Sequence, residues 1–274
     1  MSRHSSLATR HSNGDRPRPL HEDAPIDDLR VVNRNGANGN GNPALPMING
    51  RLVDPEQIAA EVEEMEAAEA IAWAIETFGS KLGFAVSFQK TSSVIIDIAH
   101  GLDPKARFFY LDTELLFPET YATRDALAER YGIEFQRFVQ ANPPGLRERW
   151  DADQWGDSDE CCATRKVETM HRALEGIDCW VSGVRRVDSS TRAGAPRFGW
   201  DERFTRWKLN PVVDWDDKQV WSHIKDQHVP YNPLHDQGYP SIGCMPCTTK
   251  PIDGDDPRAG RWAGTDRTEC GING

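Results

Sequence analysis

Apolar positions are sparse over the first fifty residues, where Arg, Pro and Ser surround a run of Asn and Gly from Asn35 to Asn42. A segment so poor in apolar anchors cannot offset the entropy of ordering, so residues 1–50 are predicted to be a disordered tail. Asp54-Pro55-Glu56-Gln57 then supply an N-cap, a proline at the first helical position and a Gln at the third. With Ile58, Val62, Met65, Ile71 and Ile75 at near-helical spacing, they predict one long amphipathic helix. Downstream, the short apolar runs Phe84–Val86, Phe108–Leu111 and Phe135–Val139 alternate with helical stretches over 92–100 and 118–131. A further helix is predicted from Glu160 to Leu174, then a strand over Cys179–Ser182. Strands alternating with helices imply right-handed βαβ units, a parallel sheet and an α/β fold class.

No internal repeat interrupts this pattern. One α/β domain is expected over 51–250, with 251–274 as a separate terminal segment. After about residue 185 the chain is rich in turns, prolines and charges, with one helix predicted after Asp216, so this region reads as a lid or tail rather than a second core. Ligands of open α/β sheets bind beyond the carboxyl ends of the strands, which places 87–93, 112–114 and 183–192 on one rim. The tryptophans at 200, 207, 215 and 221 are expected to pack the C-terminal part onto the sheet.

Charge narrows the function. The 274 residues carry 43 acids against 32 bases, a net charge of -11, which argues against a surface built for nucleic acid or for an anionic membrane. Any anionic substrate must be met by local bases. No apolar run approaches the roughly 20 residues needed to span a bilayer, and the N-terminus lacks the apolar segment of a secretory signal, so a cytoplasmic protein is expected. The basic, Ser-rich opening keeps an organelle transit peptide as a minor alternative. Oligomeric state is left open, a homo-oligomer included.

The six cysteines are too few for a disulfide scaffold of this length and point to metal binding or catalysis. Cys161-Cys162 are adjacent, Cys244 and Cys247 form a C-x-x-C, and Cys270 stands apart. Two separated thiol pairs normally close one metal centre. Adjacent side chains diverge too sharply to reach one zinc comfortably, whereas a four-iron cluster offers each thiolate a different iron. On the residues alone, a distorted zinc site, or buried structural cysteines beside a redox C-x-x-C, stay open beside iron–sulfur. Cys179 falls inside an apolar strand pattern and is read as core. His171, His223, His228 and His235 show no ligand spacing and are read as surface or packing residues.

The segments Leu111-Asp-Thr113, Glu160-Cys-Cys-Ala-Thr-Arg-Lys166, Val181-Ser-Gly-Val-Arg-Arg186, Gly238 to Cys247, Gly260-Arg-Trp262 and Thr268-Glu-Cys-Gly271 resemble, in order, those of the assimilatory sulfonucleotide reductases. The resemblance is closest to the iron–sulfur type that acts on adenosine 5′-phosphosulfate (APS). It implies a Rossmann-like adenine nucleotide α-hydrolase-type fold and attack by Cys270 on the substrate's sulfate sulfur. An S-sulfocysteine, release of AMP, and attack by a thioredoxin or glutaredoxin-like thiol donor that frees sulfite are implied next. It also implies a 4Fe-4S cluster on Cys161, Cys162, Cys244 and Cys247 that does not itself carry the electrons.

A thiolate approaching a phosphosulfate faces like charges that must be neutralised. By their places in the matching motifs, Lys166, Arg192, Arg258 and Arg261 form the expected clamp, with Arg185 and Arg186 in the same loop region. Lys166 lies four residues after Cys162, one helical turn on, and is assigned electrostatic coupling and leaving-group stabilisation. Ser87, Phe88, Gln89, Lys90, Thr91, Ser92, Leu111, Asp112 and Thr113 are the expected nucleotide contacts. The segment 251–274 is expected to be mobile, so that Cys270 can meet both substrate and donor.

Three departures stand out. Ser87 to Ser93 lacks the glycine pair and acid of the Ser-Gly-Gly-x-Asp-Ser loop of related ATP pyrophosphatases; Glu114 stands where Leu-Asp-Thr is usually followed by Gly; and Asn273 replaces a common His. The alternatives are the same reaction on the 3′-phosphorylated nucleotide (PAPS), with Lys90, Ser92 and Ser93 holding the extra phosphate, and a catalytically silent, metal-stabilised nucleotide-binding module. An ATP-using adenylyltransferase ranks last.

Overall fold

The computed structural model describes residues 47–141, 159–251, 256–263, 267 and 269–273. Met47–Ile48 (β1) and Arg51–Leu52 (β2) pair antiparallel across Asn49-Gly50, both at positive φ, the usual geometry of a tight hairpin. Residues 47–50, expected within the tail, thus belong to a hairpin; the rest of that expectation, 1–46, lies outside the described residues.

Asp54 caps helix α1 (Pro55–Glu63), its Oδ1 accepting from the Glu56 amide at 2.9 Å. The helix then stops, which corrects the single long helix expected. Glu66 is extended, its amide donates to Glu69 Oε2 at 3.0 Å, and a second helix, α2 (Ala67–Phe78), begins. In one continuous helix Ile71 would lie about 220° around the axis from Ile58, at 100° per residue. The break lets Ile58, Val62 and Ile71 all be buried.

The main sheet contains β3 (Leu82–Ala85), β4 (Phe108–Asp112), β5 (Gln136–Val139), β6 (Cys179–Val181), β7 (Phe198–Asp201) and β8 (Arg206–Leu209) in the order β5-β4-β3-β6-β8-β7. Every pairing is parallel except that of β7 with β8. Alternate strand residues feed two cores. Phe108, Tyr110, Cys179 and Val181 pack with α1, α2 and α3 (Lys90–Leu102), whereas Phe109 and Trp180 pack with Met170 and Leu174 on the other face. Helices α4 (Pro118–Tyr131) and α7 (Asp217–Asp226) add Leu127, Val220 and Ile224 to the first core. Cys179 is fully buried there, as expected.

The region after 185 is not a lid. It provides β7 and β8, and the rings of Phe198 and Trp207 stack at 4.7 Å within the core. The four-residue alternation Arg206-Trp-Lys-Leu209 buries Trp207 and Leu209 and turns the two basic residues to the other face. Its charges hid the strand.

The helix expected over 160–174 is composite: α5 (Asp159–Cys162), a π turn over Ala163–Glu168, and α6 (Thr169–Ala173). Lys166 lies in the π turn, a feature often found at functional sites. No helix among the described residues is long and apolar enough to cross a membrane.

Candidate active site

The chain builds outward from β3 to β4 and β5, then returns to β6 on the other side of β3, which makes a switch point. A cavity of about 220 Å³ opens at the carboxyl ends of β3, β4 and β6. Ser87, Phe88, Gln89, Lys90, Thr91 and Ser92 form one wall, and Leu111 and Thr113 contribute from β4. Arg185, Arg192, Arg258 and Arg261 line it from later loops, together with Lys166, Cys244 and Cys270.

Two expected contacts, Asp112 and Arg186, are not in that wall. Asp112 is buried beneath it, accepting from Tyr121 Oη, the Glu114 amide and Arg137 Nε, each at 2.7 Å, and so fixes the end of β4. Arg186 pairs with Glu63 at 2.5 Å and donates from Nε to the Ala195 carbonyl at 2.9 Å. Arg185 has an extended backbone, so the two neighbouring guanidiniums point to opposite sides and only Arg185 reaches the cavity.

Phe88 takes a left-handed backbone, φ 58°, its buried ring edge-on to Tyr110 and Phe135 with centroids 5.2 and 5.0 Å away. The Lys90 amide, at the start of α3, donates to His235 Nε2 at 3.2 Å, and His235 Nδ1 meets the Tyr239 carbonyl at 2.8 Å. Burial brings His235 down to about 4, so the ring is neutral and able to accept. One amide at the N-terminus of α3 is therefore already satisfied. Glu114 adopts φ 60°, the left-handed conformation its glycine counterpart would favour, with its amide on Asp112.

Around Cys270 the charges converge. Burial pushes its thiol pKa up, but Lys166, the Ile272 amide and Arg261 outweigh this and Glu269, leaving it below the ordinary range. Burial opposes the charge on Lys166, while Cys244, Cys270 and Cys162 favour it strongly enough to keep the amine protonated. Arg261 lies directly over the Gly243 backbone, where a Cβ would come within 2.2 Å of its Nη2.

Residues 269–273 are docked. Glu269 receives Arg192 Nε and Nη2 at 2.7 and 2.8 Å and Arg258 Nη2 at 3.0 Å. Arg203 donates to the Gly271 carbonyl, Ile272 packs against the second core, and Lys208 Nζ donates to Asn273 Oδ1 at 2.8 Å. Glu269 and Lys208 escaped the sequence reading. Glu269 is visible in Thr-Glu-Cys-Gly, but its partners are not.

Cys161, Cys162, Cys244 and Cys247 all lie within mutual electrostatic reach. Burial and their neighbours raise the thiols of Cys161, Cys162 and Cys247, the last to about 11. Thr113 Oγ1 lies 3.3 Å from Cys244 Sγ. Among the described residues no three His, Cys, Asp or Glu gather closely enough to ligate one metal ion.

Fold and site together define an α/β protein of nucleotide-binding type with a cysteine set among cations at the switch point. The family follows from comparison: residues 81–250 match the family described as phosphoadenosine phosphosulfate reductase domain, and the chain belongs to it. An adenosine 5′-phosphosulfate reductase of Shouchella clausii is 38% identical over 226 residues, covering 80% of this chain and 92% of that protein. One of Mycolicibacterium smegmatis is 40% identical over 227 residues, covering 80% and 92%. Among solved structures, a phosphoadenylyl-sulfate reductase from Candida auris superposes with a TM-score of 0.61 at 27% identity, covering 73% of this chain and 98% of its own.

Proposed function

We propose that this protein reduces APS to sulfite and AMP with electrons from a dithiol donor. The observation that carries this reading is the Cys270 thiol, held below its ordinary pKa among Lys166 and Arg261 at the nucleotide-type cavity. The relatives that bear the APS name, at 38–40% identity over most of their length, support it further.

In the first step Cys270 Sγ attacks the sulfate sulfur. A sulfur–sulfur bond forms, the bond from sulfur to the bridging oxygen breaks, and AMP leaves with that electron pair. Arg192, Arg258, Arg261 and Lys166 offset the negative charge gathered on the phosphosulfate. A reduced thioredoxin, or a glutaredoxin-like donor, then attacks Cys270 Sγ. Sulfite departs with the electron pair, and the second donor thiol resolves the mixed disulfide, so the dithiol supplies both electrons.

A 4Fe-4S cluster on Cys161, Cys162, Cys244 and Cys247 belongs to the same reading. What supports it is the chemistry of the donor set: four thiols within electrostatic reach of one another, not gathered tightly enough for a single ion, with an adjacent pair that suits separate irons better than one ion. Cys161, Cys162, Cys244 and Cys247 would hold the cluster as thiolates, and it would supply the positive charge that keeps them ionised. Iron analysis with a broad absorption near about 400 nm checks it, whereas a zinc-filled site is colourless.

The test of the reaction is covalent trapping. With sulfur-labelled APS and no reductant, the wild type is expected to retain label and Cys270→Ser none; adding reduced thioredoxin should release labelled sulfite. Nucleotide binding without labelling of the wild type would favour the silent module.

A further inference from the structure

Lys90 and Arg185 line the same cavity as the cations around Cys270, yet both are occupied by a carboxylate. Lys90 Nζ lies 2.8 Å from Asp217 Oδ2, and Arg185 Nη1 lies 2.8 Å from Asp217 Oδ1. The two cations are almost fully buried, with side chains 7% and 4% exposed, whereas that of Asp217 is 58% exposed. A single aspartate thus bridges the cavity's second cationic pair from its outer side. Arg185 spends its remaining donors on Asp188, through Nε at 3.1 Å and Nη2 at 2.7 Å. Its Nη1 is buried without a well-aligned hydrogen bond, so the ion pair with Asp217 leaves donor capacity unused.

Without Asp217, this corner would be a phosphate site. It combines the buried Lys90 ammonium with a guanidinium that keeps an unaligned N–H, a pairing of cations that holds phosphate elsewhere. Asp217 stays ionised: burial works against its charge, but Lys90 and Arg185 bring its pKa below the ordinary carboxylate value. An incoming phosphate dianion would have to displace this carboxylate or lie against it.

We propose that Asp217 is a specificity-determining residue that excludes nucleotides bearing a second, ribose-attached phosphate, by holding its carboxylate on Lys90 and Arg185. This rests on the reading above that the cavity takes an adenine nucleotide with its sulfate at Cys270. The phosphosulfate is served by Arg192, Arg258, Arg261 and Lys166. Among the described residues that line the cavity, the cations left for a ribose phosphate are Lys90 and Arg185, and that pair is neutralised. Asp188 pairs with both Arg185 and Arg192 through contacts that do not involve Asp217.

Binding of AMP and of adenosine 3′,5′-bisphosphate, measured by calorimetry on the full chain, tests this without relying on turnover. In Asp217→Asn the bisphosphate is expected to bind at least tenfold more tightly than in the wild type, with AMP changed less than threefold. Asp217→Glu keeps the charge and should retain the wild-type ratio. Parallel weakening of both nucleotides, an unchanged ratio in Asp217→Asn, or a Glu variant that behaves like Asn would overturn the proposal. Turnover is read separately on APS and PAPS. A wild type that turns over neither would sink the reductase reading, while the binding ratio would still decide the role of Asp217.

Discussion

Arg192 grips Glu269 with two parallel hydrogen bonds, Nε to Oε1 at 2.7 Å and Nη2 to Oε2 at 2.8 Å, one residue before the Cys270 thiol. Arg258 adds a third bond at 3.0 Å. A carboxylate therefore sits on two of the guanidiniums assigned to the anionic substrate. Under the proposed function the phosphosulfate would draw on the same cations as the docked segment, which would couple substrate entry to release of Glu269.

Glu269→Gln removes the charge but keeps the shape. Two guanidiniums are then freer to meet an anion, so AMP is expected to bind as tightly or more tightly, while kcat/KM falls roughly tenfold or more because the hold of Arg192 and Arg258 on the segment carrying Cys270 is weakened. Calorimetry and steady-state kinetics separate the two effects. Equal losses of binding and turnover would contradict the coupling.

The Cys270 thiolate should persist below the ordinary thiol range. Because its folded pKa is depressed, ionisation stabilises the fold above the unfolded thiol's pKa, and this contribution is lost as pH falls through the folded value. The rate of alkylation of Cys270 against pH is expected to give a midpoint below about 8.5. Lys166→Gln should move that midpoint upward. An unmoved midpoint would remove Lys166 from the account.

Lys208 is buried, and that burial brings its amine down to about 8, with Asp201 opposing the shift. Its folded pKa lies below the unfolded value, so the unfolded chain binds the extra proton between them and stability falls as pH drops through that window. Lys208→Met should flatten the stability profile between about pH 10 and pH 8 relative to the wild type. It also removes the bond to Asn273, so limited proteolysis near residue 270 should speed up. Denaturant melts at several pH values check the first effect.

Arg186→Ala separates structure from chemistry. The side chain ties α1 to the following loops through Glu63 and does not reach the cavity. The expected cost is about 1 kcal/mol of stability, or roughly 2–4 °C in Tm. kcat/KM should stay within about threefold. A large loss of activity in a well-folded variant would return Arg186 to the site.

Much of the fold could be read locally because helices and strands leave a period in the chain. The strands at Phe108 and Cys179 and the helix from Pro118 lie close to where that period puts them. It failed where the period was interrupted or short. The six-residue step from Met65 to Ile71 concealed a break between two helices, and four residues with two charges concealed β8.

The sequence by itself determined the alternation that makes the parallel sheet, the grouping of cysteines into two pairs and a separate thiol, and the stock of bases that surround them. Only the tertiary structure decided which bases act together. Arg185 enters the cavity and Arg186 does not, Glu269 meets an arginine 77 residues away, and Asp217 bridges Lys90 and Arg185. Periodicity is a property of neighbours along the chain, whereas charge interactions depend on distance in space, so partners far apart in sequence meet only once the sheet is built.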